Sequence, residues 1–292
     1  MERKRQQRMT RSTVGVIGAG RVGSVLAAKL RAAGHPVLVS ARSDASVLRV
    51  QTLLPPINGH SVEVLDPAEV VRRSDVLMLA VPDDSLVSLA EELAPHVRAG
   101  QVVLHTSGRH GTGALEALAR RGARPIAFHP AMTFTGTEVD LDRACVFGLT
   151  AGPAEKEVAE SLVADLGGTP VWIDEADRVT YHAALAHGAN HLVTLVSQSM
   201  DLLRGVMAEE AGAADPAAVL RPLLGAALSN ALDYGDAALT GPVKRGDATT
   251  VRAHLDALED TEVRDTYVAL ARATADRIGR DFDELAGERI EA

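Results

Sequence analysis

A glycine-rich turn near the start of the chain constrains the fold more than any other part of the sequence. Residues 13–23 read Thr-Val-Gly-Val-Ile-Gly-Ala-Gly-Arg-Val-Gly, which is an apolar run, a Gly-x-Gly-x-x-Gly turn and the start of a helix-forming segment. In a strand–turn–helix unit of this kind the first glycine permits the tight bend, the second lets a pyrophosphate approach the backbone, and the third lets the helix pack closely on the strand. The sequence therefore predicts a dinucleotide-binding turn; the alternative is a glycine-rich turn that binds nothing.

The end of the second predicted strand indicates which dinucleotide is bound. An acidic residue about 20 residues beyond the turn would hold the ribose 2′-hydroxyl of NAD, whereas here the strand over residues 37–40 is followed by Ala-Arg-Ser. The Arg42 guanidinium suits a 2′-phosphate, because it offers a fork of donors to the phosphate oxygens. Asp44 is interpreted as a first-turn acid of the next helix. The sequence predicts NADP, bound by Gly18, Ala19, Gly20, Arg21, Val22, Gly23, Ser40, Arg42, Ser43, Val81 and Pro82.

Alternating strand and helix signals continue after this unit. Apolar runs predict strands at residues 37–40, 62–65, 75–81, 101–104, 124–128, 144–149 and 170–173, and helical patterns separate most of them. Such alternation is typical of a doubly wound, largely parallel α/β sheet. Strand signals stop at residue 174, and Ala- and Leu-rich helical patterns follow. We therefore predict a Rossmann-type domain over residues 13–174 and an all-α domain over residues 175–292.

Composition and charge exclude several classes of function. The net charge of −9 argues against general affinity for nucleic acid or anionic membranes, and no apolar run reaches the roughly 18 residues of a membrane span. Basic residues 1–12 are predicted to form a disordered leader, with an upstream start codon or a nucleic-acid arm as alternatives. The one cysteine, Cys145, lies in an apolar run and fits a buried thiol in a reducing, cytoplasmic compartment.

Polar side chains on the first helix of the second domain are candidates for a catalytic site. At about 100° per residue, Asn190 shares one broad face with His182 and His187. Ala and Leu surround His182 and Asn190, where unpaired polar groups would be costly. His187 and His191 have the spacing of two zinc ligands. No glutamate follows His187 and no third ligand is evident, so no metal is predicted.

Further candidates follow strand ends or lie in a punctuated loop. In parallel sheets, ligands bind beyond the carboxyl ends of the strands. This rule favours Ser107 and His129 as site residues, with ordinary turn chemistry as the alternative. Arg245 and Asp247 lie in a predicted loop bounded by glycine and proline. Arg245 could clamp a substrate carboxylate bidentately, or it could pair only with Asp247.

Several motifs together resemble a known family. They are the glycine turn Gly-Val-Ile-Gly-Ala-Gly-Arg-Val-Gly, His129-Pro130-x-x-Thr133-Phe134, Tyr181-His182-Ala183-Ala184 with Asn190, and Leu239-Thr240-Gly241-Pro242-Val243-x-Arg245-Gly246-Asp247. From Thr13 onward the chain resembles Rossmann-like oxidoreductases with a C-terminal helical domain of unknown function. These are relatives of pyrroline-5-carboxylate reductase, 6-phosphogluconate dehydrogenase and ketopantoate reductase. Within that family the chain is similar to an alternative ketopantoate reductase group.

The resemblance implies NADPH-dependent reduction of a 2-keto acid, catalysis in an interdomain cleft and a homodimer formed through the helical domain. The usual ketopantoate reductases place a proton-donating lysine on the first helix of the second domain. Here the lysines are only Lys4, Lys29, Lys156 and Lys244. His182 is the predicted substitute, because an imidazole that titrates near neutrality suits acid catalysis. Asn190 would bind the carbonyl oxygen, and Arg245 with Ser107 would hold the carboxylate.

Two other functions stay open. The missing lysine is compatible with a non-catalytic NADP-binding sensor or a partner-binding dimer. A cyclic imine reductase of the pyrroline-5-carboxylate reductase type would keep the fold and change only the substrate.

Overall fold

The computed structural model describes residues 11–57, 59–207 and 215–287. The chain divides into two compact units, residues 1–189 and residues 190–292. The first unit is an α/β structure, and the second is helical throughout its described residues. This is the predicted fold class.

A seven-stranded sheet forms the centre of the first unit, in the order β2-β1-β3-β4-β5-β6-β7. All neighbouring strands are parallel except β5 and β6, which are antiparallel. The central strands β1, β3 and β4 are buried along their whole length, as expected for a sheet covered on both faces. The strands are β1 Val14–Ile17, β2 Val37–Ser40, β3 Val76–Leu79, β4 Val102–His105, β5 Arg124–Pro130, β6 Val146–Ala151 and β7 Thr169–Trp172.

Helices cover both faces of this sheet and bury two apolar clusters against it. Their starts follow ordinary capping rules: Asp66 accepts a hydrogen bond from the Ala68 N–H, with Pro67 as first helical residue. Asp44 is the acid in the first turn of its helix, as predicted. The helices are α1 Arg21–Ala32, α2 Asp44–Leu53, α3 Pro67–Arg73, α4 Asp83–Leu93, α5 Glu116–Ala119, α6 Lys156–Asp165 and α7 Arg178–Leu185.

One predicted strand does not form. Of residues 62–65, only Val64 pairs, in an isolated parallel bridge to Val39. Val64 is 38% exposed, and the segment leads directly into the cap of α3. A run this short and this exposed buries too little apolar surface to extend the sheet.

The boundary between the two units differs from the predicted one, since it lies between Ala189 and Asn190 rather than after residue 174. Two sets of hydrogen bonds attach the intervening segment to the first unit. Glu175 accepts hydrogen bonds from the N–H groups of Thr112 and Gly113, at 2.9 and 3.2 Å. Arg178, only 1% exposed, donates to carbonyl groups beyond β4 and within β6. α7 therefore belongs to the sheet domain.

The second unit contains helices and no strand among its described residues. None of the described helices is long and apolar enough to cross a membrane. A small core of its own includes Val251, Ala275 and Phe282. The helices are α8 His191–Val206, α9 Pro216–Tyr234, α10 Gly241–Arg245, α11 Ala248–Ala257, α12 Arg264–Arg277 and α13 Phe282–Ala286.

The predicted leader, residues 1–12, lies outside the described residues except for its last two. Arg11 pairs with the Asp165 carboxylate, and the Ser12 carbonyl oxygen lies 2.9 Å from His35 Nδ1. These two residues therefore belong to the folded unit, so the prediction of a disordered leader is wrong for them. Cys145 is 6% exposed, and burial raises the pKa of its thiol to about 11, which agrees with a buried core thiol.

Candidate functional site

The glycine turn between β1 and α1 has the geometry that its sequence predicts. Gly18 adopts a φ of +98°, and an added Cβ would lie 2.4 Å from the Ala80 carbonyl oxygen. An added Cβ at Gly23 would lie 2.1 Å from the Gly18 carbonyl oxygen, so α1 packs directly on the turn. A Cβ at Gly20 would meet nothing within 4 Å. The backbone of the second glycine is therefore open to a ligand, beside the N–H groups that begin α1.

A cavity of about 390 Å³ adjoins this turn. It extends from the turn to the start of α2 and to the residues that follow β3. Eight of the predicted cofactor-binding residues line it: Gly18, Ala19, Gly20, Ser40, Arg42, Ser43, Val81 and Pro82. The other three, Arg21, Val22 and Gly23, form the first turn of α1 and do not line the cavity.

The residues present fit a phosphorylated dinucleotide. Ser43 caps α2, with its hydroxyl accepting from the Ser46 N–H at 3.2 Å, and Arg42 lines the cavity beside this helix start. A guanidinium, two serine hydroxyls and a helix N-terminus together suit a 2′-phosphate. The first turn of α1 carries no acidic residue that would repel a pyrophosphate. Glu92 is the one carboxylate in the cavity lining.

A cluster of rings lies at the carboxyl ends of β4 and β5. His129 Nδ1 is 2.9 Å from the Tyr181 hydroxyl, and the His182 ring stands edge-on to His129 with centroids 6.0 Å apart. Two glycines make room for these rings. An added Cβ would lie 2.4 Å from His182 at Gly108, and 2.4 Å from the Tyr181 hydroxyl at Gly148. The structure thus brings the predicted site residues His129 and His182 together.

Burial keeps two histidines of this region neutral. It lowers the pKa of His129 to about 4, with smaller contributions from the positive charge of Arg178 and from His182. Burial also lowers the pKa of His105 to about 4. His105 Nε2 is 2.9 Å from the Gly111 carbonyl oxygen, and its Nδ1 accepts from the Ser107 N–H at 3.2 Å. These two bonds fix one neutral tautomer of His105.

Arg178 underlies the ring cluster. Its guanidinium donates to the carbonyl oxygens of Ser107, His110 and Gly148 at 2.8, 3.0 and 3.1 Å, and to the Thr150 hydroxyl at 3.4 Å. Its Cζ lies 5.6 Å from the centroid of the Tyr181 ring. The prediction from sequence does not include Arg178, Tyr181 or Glu175 as site residues. The i, i+3, i+4 spacing of Arg178, Tyr181 and His182 was the available signal, because it places them on one helical face.

Ser107 has a structural role that the sequence leaves open. It is buried, its hydroxyl accepts from the His110 N–H at 3.3 Å, and its carbonyl oxygen accepts from Arg178. Ordinary turn chemistry accounts for these contacts. The hydroxyl proton of Ser107 is not used in them, so its predicted contact with a substrate carboxylate stays a prediction.

The predicted common face of His182, His187 and Asn190 assumes a regular α-helix, and this assumption is wrong. Residues 186–190 form a π-helical turn between α7 and α8. A π-turn takes up more residues than an α-turn and so shifts the angular position of every residue after it. Asn190 ends this turn and belongs to the second unit. Among the described residues, no group of histidine, cysteine and carboxylate side chains could hold a metal.

Arg245 and Asp247 lie in the second unit, where the predicted loop is partly helical. Arg245 is exposed and ends α10, because Gly246 follows with a φ of +72°. Asp247 caps α11, accepting from the Thr250 N–H at 3.1 Å and the Thr250 hydroxyl at 2.7 Å. The hydrogen bonds from Thr250 lower the pKa of Asp247. Capping thus accounts for Asp247 without a catalytic role.

Comparisons with solved structures agree with this fold. A protein from Bacteroides fragilis that is described as an NADP oxidoreductase has 21% identity and a TM-score of 0.75. The match covers 92% of this chain and 99% of that one. A pyrroline carboxylate reductase with NADP bound, from Plasmodium falciparum, has 16% identity and a TM-score of 0.58, covering 92% and 97%. A reductive aminase from Aspergillus terreus, in complex with NADPH4, cyclohexanone and allyl amine, has 19% identity and a TM-score of 0.60, covering 95% and 91%.

Curated relatives match a shorter part of the chain. A glycerol-3-phosphate dehydrogenase (NAD(P)+) from Parvibaculum lavamentivorans is 28% identical over 165 residues, which cover 53% of this chain and 50% of the relative. The chain thus spans about half the length of the curated relatives that it matches.

Two family models cover most of the chain between them. The Rossmann-like domain matches residues 1–130, and the domain of unknown function DUF2520 matches residues 145–274. The first match contains the glycine turn and the cavity, and the second contains α7 and most of the helical unit. The chain therefore combines a Rossmann-like domain with a helical part that matches the domain of unknown function DUF2520.

Proposed function

We propose that this protein catalyses the NADPH-dependent reduction of a small 2-keto acid, with 2-dehydropantoate (ketopantoate) as the first candidate. The observation that carries the proposal is that the cavity and the ring cluster lie at the ends of neighbouring strands, on one edge of the sheet. The cavity includes residues that follow β3, and the ring cluster lies at the ends of the next two strands, β4 and β5. In such sheets ligands bind beyond these strand ends. The chain thus offers a dinucleotide cavity beside a group of titratable side chains.

NADPH, when bound, supplies the hydride. The protein's task is to orient the substrate, stabilise the developing alkoxide and deliver a proton. In the proposal, His182 donates this proton, because it is half-buried and stands beside the neutral ring of His129. We assign Asn190 to the carbonyl oxygen, and Arg245 with Ser107 to the carboxylate, as the sequence predicts. His129 orients His182, and Asp247 supports Arg245 by fixing the start of α11.

Arg42 and the helix start at Ser43 support NADP as the cofactor, and the solved relatives that contain NADP or NADPH agree with it. The substrate assignment is tested by NADPH oxidation with a panel of 2-keto acids, ketopantoate first, and by complementation of a pantothenate auxotroph. We expect turnover with at least one keto acid. Tight NADPH binding with no turnover of any panel member would instead favour the non-catalytic sensor.

A cyclic imine reductase is the second candidate. The similarity to a pyrroline carboxylate reductase and to a reductive aminase favours it, because the names of both proteins refer to the reduction of a C=N bond. Including cyclic imines in the same panel separates the two candidates. An exclusive reaction with imines would replace the keto acid assignment.

We also propose that the protein forms a homodimer through its helical unit. Helices α8 and α9 have a combined length of 35 residues, yet Leu220 is the only described residue of either that is buried. Exposed apolar side chains on α9 include Leu223, Leu228 and Leu232, at 63%, 52% and 79%. These side chains lie around α9 rather than on one face, so the helix as a whole offers apolar surface to a partner chain. Sedimentation equilibrium should give a dimer, and the double substitution L223E/L232E should give a monomer; a monomeric wild-type protein would overturn this assignment.

A further inference from the structure

The charge of the ring cluster comes from one buried group. Arg178 is 1% exposed, and its guanidinium keeps its positive charge at any pH of interest. Its hydrogen bonds go to three main-chain carbonyl oxygens and one hydroxyl. Within the part of the chain that the structure describes, no carboxylate forms an ion pair with it. Attraction to Tyr181 and Glu175 does not outweigh the desolvation of the guanidinium, since burial lowers the pKa of Arg178, and the group therefore imposes a positive potential on its surroundings.

The nearest carboxylate does not cancel this charge by direct contact. Glu175 directs its oxygens to the Thr112 N–H, the Thr112 hydroxyl and the Gly113 N–H, at 2.9, 3.1 and 3.2 Å. Those hydrogen bonds lower the pKa of Glu175, so it stays ionised, but they hold it at the start of the segment that follows Gly111. Asp83 and Asp84 pair with Arg109 instead, at 3.1 Å each.

The histidine rings beside Arg178 stay neutral, mainly because they are buried. Burial lowers the pKa values of His105 and His129 to about 4, and the Arg178 charge acts in the same direction. The Tyr181 ring lies over the guanidinium, and its hydroxyl bonds His129. The Asp83 carboxylate acts on both histidines in the opposite direction, but its effect is smaller than that of Arg178, so the positive charge dominates at these rings.

This potential acts oppositely on the two kinds of double bond that the fold could reduce. When a carbonyl carbon accepts a hydride, the π electron pair moves to oxygen, which becomes negative and then takes a proton. When an iminium carbon accepts a hydride, the π pair moves to nitrogen, which loses its positive charge and needs no proton. A fixed cation stabilises the first transition state and repels the second substrate.

We propose that Arg178 is a specificity-determining residue that makes this site reduce an uncharged carbonyl group in preference to a cationic iminium group. The proposal rests on the proposed reductase function and deepens it, because it specifies the electrophile. Arg178 acts on the substrate through its field and not by contact, while its hydrogen bonds hold the turns at Ser107 and Gly148.

A matched pair of substrates tests the wild-type protein. 2-Oxopentanoate and 1-pyrroline-2-carboxylate have the same number of carbons and the same carboxylate, and differ in C=O against C=N and in the ring that contains the imine. We expect kcat/KM for the keto acid, with NADPH, to exceed that for the imine by about 10²-fold or more, the size of effect that one preorganised group produces. Faster reduction of the imine would overturn this inference and leave the reductase function standing. No NADPH oxidation with either substrate or with the wider panel would overturn both.

Substitutions at Arg178 give the second arm. Arg178→Gln keeps hydrogen-bond donors and removes the charge, so the keto-to-imine ratio should fall by about 10²-fold. Arg178→Lys keeps the charge and should retain most of the ratio, a rescue that a purely structural role does not predict. Arg109→Gln is the control, because Arg109 is an exposed cation on the loop that follows β4 and pairs with Asp83 and Asp84. An equal loss for both substrates in R178Q, with NADPH affinity unchanged, would refute the proposal; if R178Q does not fold, the wild-type ratio and R178K decide.

Discussion

His129 Nδ1 lies 2.9 Å from the Tyr181 hydroxyl, and this contact joins strand β5 to helix α7. His129 faces Gly148 across the sheet, and the missing side chain at Gly148 is what admits the Tyr181 ring. This contact is a structural tie between the sheet and the helix that carries His182.

Removing this tie should destabilise the first unit measurably. Tyr181→Phe leaves His129 Nδ1 without its partner and should lower the free energy of unfolding by about 1–3 kcal/mol. Urea denaturation of Y181F, H129L and the double variant should show non-additivity of about 1 kcal/mol, because both single changes remove the same bond. Additive effects would mean that the bond contributes nothing to stability.

His182 is the proposed proton donor, and its loss should affect chemistry alone. His182→Gln should lower kcat with the best keto acid by about 10²-fold or more, while the dissociation constant for NADPH stays unchanged. His60→Gln, a change at an exposed histidine on a turn, should leave both quantities unchanged. If H182Q turns over at the wild-type rate, His182 is not the acid.

Gly108 is needed for its lack of a side chain. In Gly108→Ala the new Cβ would lie 2.4 Å from His182 Cδ2 and 3.0 Å from His129 Nε2, so both rings must shift. Misplacement of a catalytic group by about 1 Å costs on the order of 10²-fold in rate. The matched control is Gly113→Ala, whose Cβ would make only an ordinary contact with Glu175 at 3.6 Å. Equal turnover of G108A and G113A would contradict the placement of the site.

Arg42 should determine the choice of cofactor. Arg42→Ala removes the cation expected at the 2′-phosphate and should raise the NADPH dissociation constant by about 10- to 100-fold, since a hydrogen bond to a charged group contributes about 1.5–3 kcal/mol. NADH binding should change little. Arg49→Ala, on the helix α2 that follows Arg42 but outside this cavity, serves as the control. A clear preference of the wild-type protein for NADH would contradict the assignment of NADP.

Stability should fall in mild acid because of the buried neutral histidines. The pKa of His105 is about 4 in the folded protein, below its ordinary value of 6.5, so the unfolded chain takes up the proton first as the pH falls. The stabilising contribution is complete above about pH 6.5 and lost below about pH 4, and it amounts to roughly 3 kcal/mol for His105. Denaturant titrations at several pH values should show this slope, and His105→Gln should reduce it. A stability independent of pH across that interval would argue against a buried neutral His105.

The helical segment after β7 shows where sequence patterns lose their power. Strand signals end at residue 174 and helical ones begin, so the sequence places α7 in the second domain. The hydrogen bonds of Glu175 and Arg178 instead attach that segment to the sheet unit. The common face predicted for His182 and Asn190 fails for a related reason, since periodicity alone does not reveal the π-turn at residues 186–190.

The glycine turn and the alternation of strands and helices were determined by the sequence itself, because tight turns, helix starts and buried strands depend on local sterics and on the period of apolar residues. The tertiary structure decided what lies beside the cofactor cavity. Three contacts there join residues that are distant in sequence. His129 pairs with Gly148, the Tyr181 ring packs against that glycine, and Arg178 is buried among three carbonyl oxygens. Such contacts depend on strand register and on the space that other chain segments leave, which local patterns do not encode.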